Sequence, residues 1–133
     1  MSHPGPAALL RAYYYALDLP DLNQLDALFD EQSVWEFPGA RLQGLAAIKR
    51  QMTRSLATGV RMKHAIGHML EAGDVAICEL EATNTLGDRT FVVRGAVVCE
   101  ARDGRIARIT AYPDAAAATP FFAAMAAAAP RRE

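Results

Sequence analysis

Three dipeptides, Gly73-Asp74, Gly87-Asp88 and Asp103-Gly104, dictate how the second half of this chain must run. Asp-Gly is the signal of a two-residue type I′ hairpin, and glycine in first place suits type II′. Between them lie long stretches of β-branched and apolar residues, from which strands are expected at about 60–71, 75–86, 89–102 and 105–113. Four long strands joined by tight turns form an antiparallel meander. A sheet that wide needs a cover over one face, and the preceding residues supply it.

Proline at position 6 suits the first turn of a helix, and the helix is expected to run to about Leu19. Leu9, Ala12 or Tyr13, Ala16 and Leu17 share one face, with Tyr14 and Tyr15 to the sides. Pro20 ends it, and Asp21 is a natural N-cap for a second helix over 22–30, with Leu22, Leu25, Leu28 and Phe29 as its apolar stripe. Residues 33–37, Ser-Val-Trp-Glu-Phe, read as a short strand stopped by Pro38-Gly39. A third helix follows Gly44, with Leu45, Ile48, Met52 and Leu56 inward. Helices first and antiparallel strands afterwards predict an α+β fold with three N-terminal helices on one face of the sheet. In the alanine-rich tail, Thr119-Pro120 reads as an N-cap with proline at the first helical position. Phe121, Phe122 and Met125 give that helix an apolar face, Pro130 closes it, and Arg131-Arg132-Glu133 is expected to be disordered. The tail either caps the mouth of the sheet or lies on a partner subunit.

At 133 residues the chain is expected to form one domain. A net charge of −1 without a basic block argues against nucleic acid as a partner. The first residues lack a secretory signal and no apolar run is long enough to span a bilayer, so no membrane partner is expected. Cys78 and Cys99 lie in strand patterns without metal-ligand spacing, and read as buried thiols of a cytoplasmic protein. No phosphate-binding glycine loop, metal set or Gly-x-Ser-x-Gly elbow is present. Neither cofactor nor metal is expected, and any chemistry would be acid–base.

Uninterrupted pairing outward from each turn assigns side chains to faces. One face would carry His64, Ile66, His68, Glu79, Glu81, Arg94, Ala96, Val98 and Glu100, with His68 against Glu79 and Glu81 against Arg94. The other would carry Ala65, Gly67, Met69, Cys78, Leu80, Ala82, Val93, Gly95, Val97 and Cys99. The second face is almost wholly apolar, so the helices cover it. A bulge in any strand would exchange the faces beyond it. The outer face mixes charges with Ile66, Ile77, Ala96 and Val98, which suits a homodimer contact. Glu81 with Arg94 reads as an ion pair of that face or a dimer contact ahead of a catalytic pair.

Taken in order, these elements resemble the nuclear transport factor 2-like superfamily, and within it the SnoaL-like polyketide cyclase and ketosteroid isomerase group. The resemblance rests on Tyr13-Tyr14-Tyr15-Ala16-Leu17-Asp18-Leu19-Pro20-Asp21-Leu22, on Ser33-Val34-Trp35-Glu36-Phe37-Pro38-Gly39 and on Leu42-Gln43-Gly44-Leu45-Ala46-Ala47-Ile48. Asp103-Gly104-Arg105-Ile106, with Tyr112 and Asp114, completes it. It implies a cone-shaped fold over about residues 8–114, and a choice among many chemistries, since fold does not fix function.

Carried over residue by residue, the resemblance is selective. Tyr13 matches the oxyanion-donor tyrosine of ketosteroid isomerases, but Phe37 stands where their general base lies and Val97 where their second acid lies. In limonene-epoxide-hydrolase relatives an acid on the last strand matches Ala111 here, which breaks their acid–arginine–acid arrangement. Scytalone-dehydratase-like members are the better match: Lys63-His64-Ala65-Ile66-Gly67 is similar to their pocket-histidine segment, and Asp18 falls near one of their acids. Their second histidine has no counterpart, with Thr85 at or near its place.

Two function classes follow. One is a cofactor-independent isomerase, cyclase or dehydratase acting on a small apolar molecule, with His64 as acid/base, Tyr13 as donor and Asp18 as orienting carboxylate. The other is a non-catalytic module for hydrophobic-ligand binding or dimerisation. In either, Trp35, Phe37, Met69, Val97, Ile109 and Ala111 are the expected ligand-binding residues, lining a dry pocket between the first helix and the sheet.

Overall fold

In the computed structural model, which describes residues 3–129, all three two-residue turns form. The pairs Ala72 with Val75, Leu86 with Arg89 and Arg102 with Arg105 close them. Asp103 at φ 52° and Gly104 at φ 78° are both left-handed, as type I′ demands. The strands they join are β3 (Arg61–Ala72), β4 (Val75–Leu86), β5 (Arg89–Arg102) and β6 (Arg105–Pro113). Residues 130–133, with the expected helix stop and disordered end, fall outside the described residues.

Ahead of them run α1 (Pro6–Asp18), a 3-10 helix (Leu22–Ala27), β1 (Val34–Phe37), β2 (Ala40–Gln43) and α2 (Leu45–Leu56). The expected trio of N-terminal helices is therefore two α-helices and one 3-10 turn. Its leucines recur every three residues, the 3-10 period, and Asp21 caps it by accepting the Asn23 N–H at 3.2 Å. Pro38-Gly39 does not end the strand but turns it, with Gly39 at φ 80° and Phe37 paired to Ala40, so β2 is an element the sequence reading lacked.

The six strands form one sheet in the order β2-β1-β6-β5-β4-β3. Only β1 with β6 is parallel, with Trp35 beside Ile109. α1 buries Leu9, Leu10, Tyr13, Ala16 and Leu17 against Cys78, Val97, Cys99, Ile106 and Ile109 of the sheet. Ser33, fully buried, ties the approach to β1 onto β6 by donating its hydroxyl proton to the Ile106 carbonyl at 2.6 Å. Among the described residues no helix is long and apolar enough to cross a membrane.

The tail is helical over α3 (Ala115–Ala128), five residues earlier than Thr119-Pro120 suggested. Asp114 is the N-cap instead: its carboxylate accepts the Ala116 N–H at 3.3 Å, and its own N–H is held by the Arg94 carbonyl at 2.7 Å. Alanines favour helix strongly enough to carry the chain through Pro120, and the Thr119 hydroxyl bonds the Ala115 carbonyl at 2.8 Å. Phe121 and Ala118 pack on Val60 and Val93, so α3 lies over the same sheet face as α1. The tail caps the mouth of its own sheet.

Candidate functional site

Pairing between β3 and β4 runs regularly from the turn to Met69 with Cys78, then slips by one residue, and resumes with Ile66 opposite Leu80 and His64 opposite Ala82. This bulge reverses the faces of β3 beyond it. The sequence reading put His64 and Ile66 outside with His68; the structure puts both inside, on the face covered by α1. Gly67 makes room for the slip, since a Cβ there would stand 2.9 Å from Glu79 Oε1. That same oxygen accepts the His68 N–H at 2.9 Å and meets His68 Nδ1 at 2.5 Å, both on the outer face. These hydrogen bonds hold the Glu79 carboxyl below its usual pKa range. Glu81 and Arg94 pair outside at 2.8 Å.

Turned inward, His64 meets the last residue of α1. Its Nδ1 lies 2.6 Å from Asp18 Oδ1, and its backbone N–H donates to Asp18 Oδ2 at 2.8 Å. A carboxylate at a helix C-terminus is poorly placed against the macrodipole, and these two donors offset that penalty. An ionised carboxylate can only accept, so Nδ1 carries the proton and Nε2 is left as an acceptor. The His64 side chain is 7% exposed, and burial lowers its pKa below the ordinary 6.5 although Asp18 pulls the other way. At neutral pH the imidazole is uncharged, a base with its lone pair on Nε2.

No buried polar side-chain atom among the described residues lacks a partner. Among the described residues Nε2 of His64 has no hydrogen bond, so it is not sealed in protein; it opens on a cavity of about 350 Å³ between α1, the sheet and α3. The same reasoning applies to Tyr14 and Asn84, which are almost fully buried, make no side-chain hydrogen bond among the described residues and line this cavity. The Tyr14 ring lies 4.5 Å from the His64 ring and 4.8 Å from that of Tyr13. Tyr13 accepts the Trp35 indole N–H at 3.0 Å, which leaves its own proton to donate. Burial pushes both tyrosines well above their ordinary pKa, so both remain hydrogen-bond donors. Trp35 stacks on Phe37 at 5.2 Å, and Phe37 meets Phe122 of α3 edge-on at 5.6 Å, closing the mouth with aromatic rings.

Tyr13, His64, Trp35, Phe37, Val97, Ile109 and Ala111 thus share one cavity. Asp18 stands behind His64, away from that lining, and fronts a separate groove. Met69 does not reach the cavity: it lies on the turn side of the bulge and packs into the core instead. Asn84 and Tyr14 were not singled out by sequence reasoning. Alternation along β4 continues the inner row of Cys78, Leu80 and Ala82 to Asn84, so one further step would have found a polar side chain among apolar ones. Among the described residues no cluster of His, Cys, Asp and Glu is suited to a metal ion.

A protein-family model described as SnoaL-like domain matches residues 10–109. Among solved structures, Bal32a from a soil-derived mobile gene cassette is 28% identical, with a TM-score of 0.77 over 87% of this chain and 95% of its own. An epoxide hydrolase of the LEH-like kind from M. tuberculosis is 21% identical, with a TM-score of 0.77 over 91% of each chain. A candidate SnoaL-like polyketide cyclase from Shewanella denitrificans is 16% identical, with a TM-score of 0.78 over 90% of this chain and 97% of its own. No curated protein sequence matches.

The electrostatics of His64 are open to measurement by its ring NMR signals. Its titration midpoint is expected below 6.5, and lower still in Asp18→Asn, because the carboxylate is what opposes desolvation. A midpoint above 6.5, or one that rises in the variant, would contradict the buried neutral imidazole.

Proposed function

This chain belongs to the SnoaL-like domain family, and we propose that it binds a small, neutral, mostly apolar carbonyl compound and moves a proton on it, as an isomerase, cyclase or dehydratase. The observation that carries this reading is His64 Nε2, an acceptor on the cavity wall with no hydrogen-bond partner among the described residues, on a ring whose Nδ1 is held by Asp18 at 2.6 Å. In the proposed step the Nε2 lone pair takes a proton from the carbon next to the carbonyl. The released electron pair moves onto the carbonyl oxygen, and the hydroxyls of Tyr13 and Tyr14 donate to the oxyanion. Asp18 steadies the imidazolium that forms, and the imidazolium returns the proton at a second position or to a leaving hydroxyl. These side chains supply all the acid–base chemistry the step requires.

Phe37, Val97 and Ala111 favour a second reading. They stand where related enzymes carry acids and make the wall apolar, as suits a module that binds a hydrophobic ligand without turnover. Both readings need the cavity; they part on whether Nε2 abstracts a proton. We further propose a cytoplasmic setting, which two free, buried cysteines fit.

The assembly proposed is a homodimer through the outer sheet face. Leu70 (76% exposed), Ile77 and Tyr112 (60% exposed) lie open there, and Leu70 pairs with Ile77, which pairs with Val98. Isolated apolar residues on a surface need no explanation, but a row across adjacent strands suits a self-complementary two-fold contact.

Two measurements test these proposals. In D2O the protein should speed exchange of the α-protons of 2-tetralone, and His64→Gln should slow it by about 10²- to 10⁴-fold. The rate should fall as acid protonates His64, with its midpoint below 6.5. Binding without exchange would leave the non-catalytic reading. For assembly, sedimentation should give a dimer at micromolar concentration that Ile77→Glu converts to monomer; a monomeric parent chain would end the dimer proposal.

A further inference from the structure

We propose that Asn84 determines which ligands this cavity accepts: its side-chain amide reads a carbonyl oxygen while His64 Nε2 faces the neighbouring carbon or hydroxyl. The inference deepens the acid–base reading above and rests on its assignment of the cavity as a ligand site.

Asn84 is 4% exposed and sits on the inner face of β4, paired with Met62 on one side and Phe91 on the other. A carboxamide carries two N–H donors and a carbonyl acceptor, all of which are costly to strip of water without replacement. None of the three has a protein partner among the described residues, yet no buried polar atom is orphaned. The amide therefore opens on the cavity, where a ligand or water must satisfy it. A purely apolar occupant would leave it dry and unpaired. An occupant with a well-placed oxygen would not.

Its position relative to His64 follows from the bulge. His64 lies opposite Ala82 and Met62 opposite Asn84, so Asn84 and His64 are diagonal neighbours on adjacent strands of the same face. Such neighbours stand about 7–8 Å apart, within reach of one small molecule touching both. Without the register slip His64 would point outward and the two would not share a cavity. The hydrogen-bonding inventory then names the ligand. Tyr13, Tyr14, Asn84, Gln51 and Ser55 supply neutral donors, and the acceptors are His64 Nε2, the Asn84 and Gln51 carbonyls, the Ser55 hydroxyl and the Glu36 carboxylate, which Arg108 engages at 2.8 Å. The groups beside His64, the Tyr14 hydroxyl and the Asn84 amide, are neutral donors, so they suit an oxygen acceptor: a neutral, ring-sized ketone or hydroxyketone, in preference to a hydrocarbon, an alcohol without a carbonyl, or a carboxylate.

Calorimetric titration with 2-tetralone and with tetralin, which differ by the carbonyl oxygen, tests this without requiring turnover. The protein should bind 2-tetralone at least tenfold more tightly than tetralin, the effect of about one buried hydrogen bond. Asn84→Leu, of similar volume, should reduce that preference by about tenfold while tetralin binds as well or better, and tetralin binding doubles as the check that the cavity is intact. Should the leucine variant not fold, Asn84→Ser carries the same comparison and should keep part of the preference through its hydroxyl. A preference unchanged within twofold in Asn84→Leu overturns the proposal, as does its loss in Tyr14→Phe alone. Ketone selectivity that depends on Asn84, without proton exchange, sinks the proton-transfer reading and leaves this one standing. Exchange that persists with unchanged selectivity in Asn84→Leu does the reverse. Failure of both probes to bind removes both.

Discussion

The slip between Ile66 and Met69 is the constraint on which the rest of the site depends. Side chains alternate along a strand, so one extra residue decides whether every residue on its far side points in or out. Here it brings Met62, His64 and Ile66 onto the covered face while His68 stays in solvent with Glu79. The ladder loses regular bonds at that point, and the Glu79 carboxylate takes up the freed His68 N–H at 2.9 Å. Gly67 gives the carboxylate room. An outer acid thereby stabilises the irregularity that an inner base requires.

Once His64 is inside, the remaining features of the cavity support one another. α1 ends at Asp18, and its carboxylate both accepts the backbone N–H of the edge strand β3 and fixes the imidazole tautomer. The α1 tyrosines follow in space, Tyr14 against His64 and Tyr13 beyond it, tied to Trp35 of β1. α3 completes the enclosure with Phe121, Phe122 and Met125. The result is a mostly apolar wall in which the neutral acceptor His64 Nε2 stands beside the uncharged donors of Tyr13, Tyr14 and Asn84. A largely apolar enclosure strengthens each of those hydrogen bonds and raises the penalty on any left unmade.

Much of the fold was legible because turn chemistry is local. Gly73-Asp74, Gly87-Asp88 and Asp103-Gly104 set strand ends to within a residue, and Pro6, Asp21 and Gly44 marked where helical segments begin. What escaped depended on contacts made at a distance. Pro38-Gly39 looked like a stop and acts as a turn because β2 finds a partner in β1. Thr119-Pro120 looked like a helix start, yet Asp114 caps first, held by the Arg94 carbonyl. Likeness to relatives points to Tyr13, Asp18 and His64, of which Tyr13 and His64 line the cavity and Asp18 meets His64 from behind, but it does not tell the face of His64. A bulge leaves no trace in composition or alternation beyond one glycine. Nothing in the alternation of Cys78, Leu80, Ala82 and Asn84 shows that a cavity opens beside the last of them, and Met69 shares the inner face of the sheet without sharing the cavity.

A crystal structure with 2-tetralone bound would test the central claim most directly, that the bulge delivers His64 Nε2 to a ligand in this cavity. The account predicts the ketone beneath α3, its oxygen within hydrogen-bond distance of the Asn84 amide and its α-carbon facing Nε2, with Nδ1 still on Asp18. A ketone bound elsewhere, or a cavity filled by Phe121 and Phe122 with His64 turned to the outer face, would contradict it.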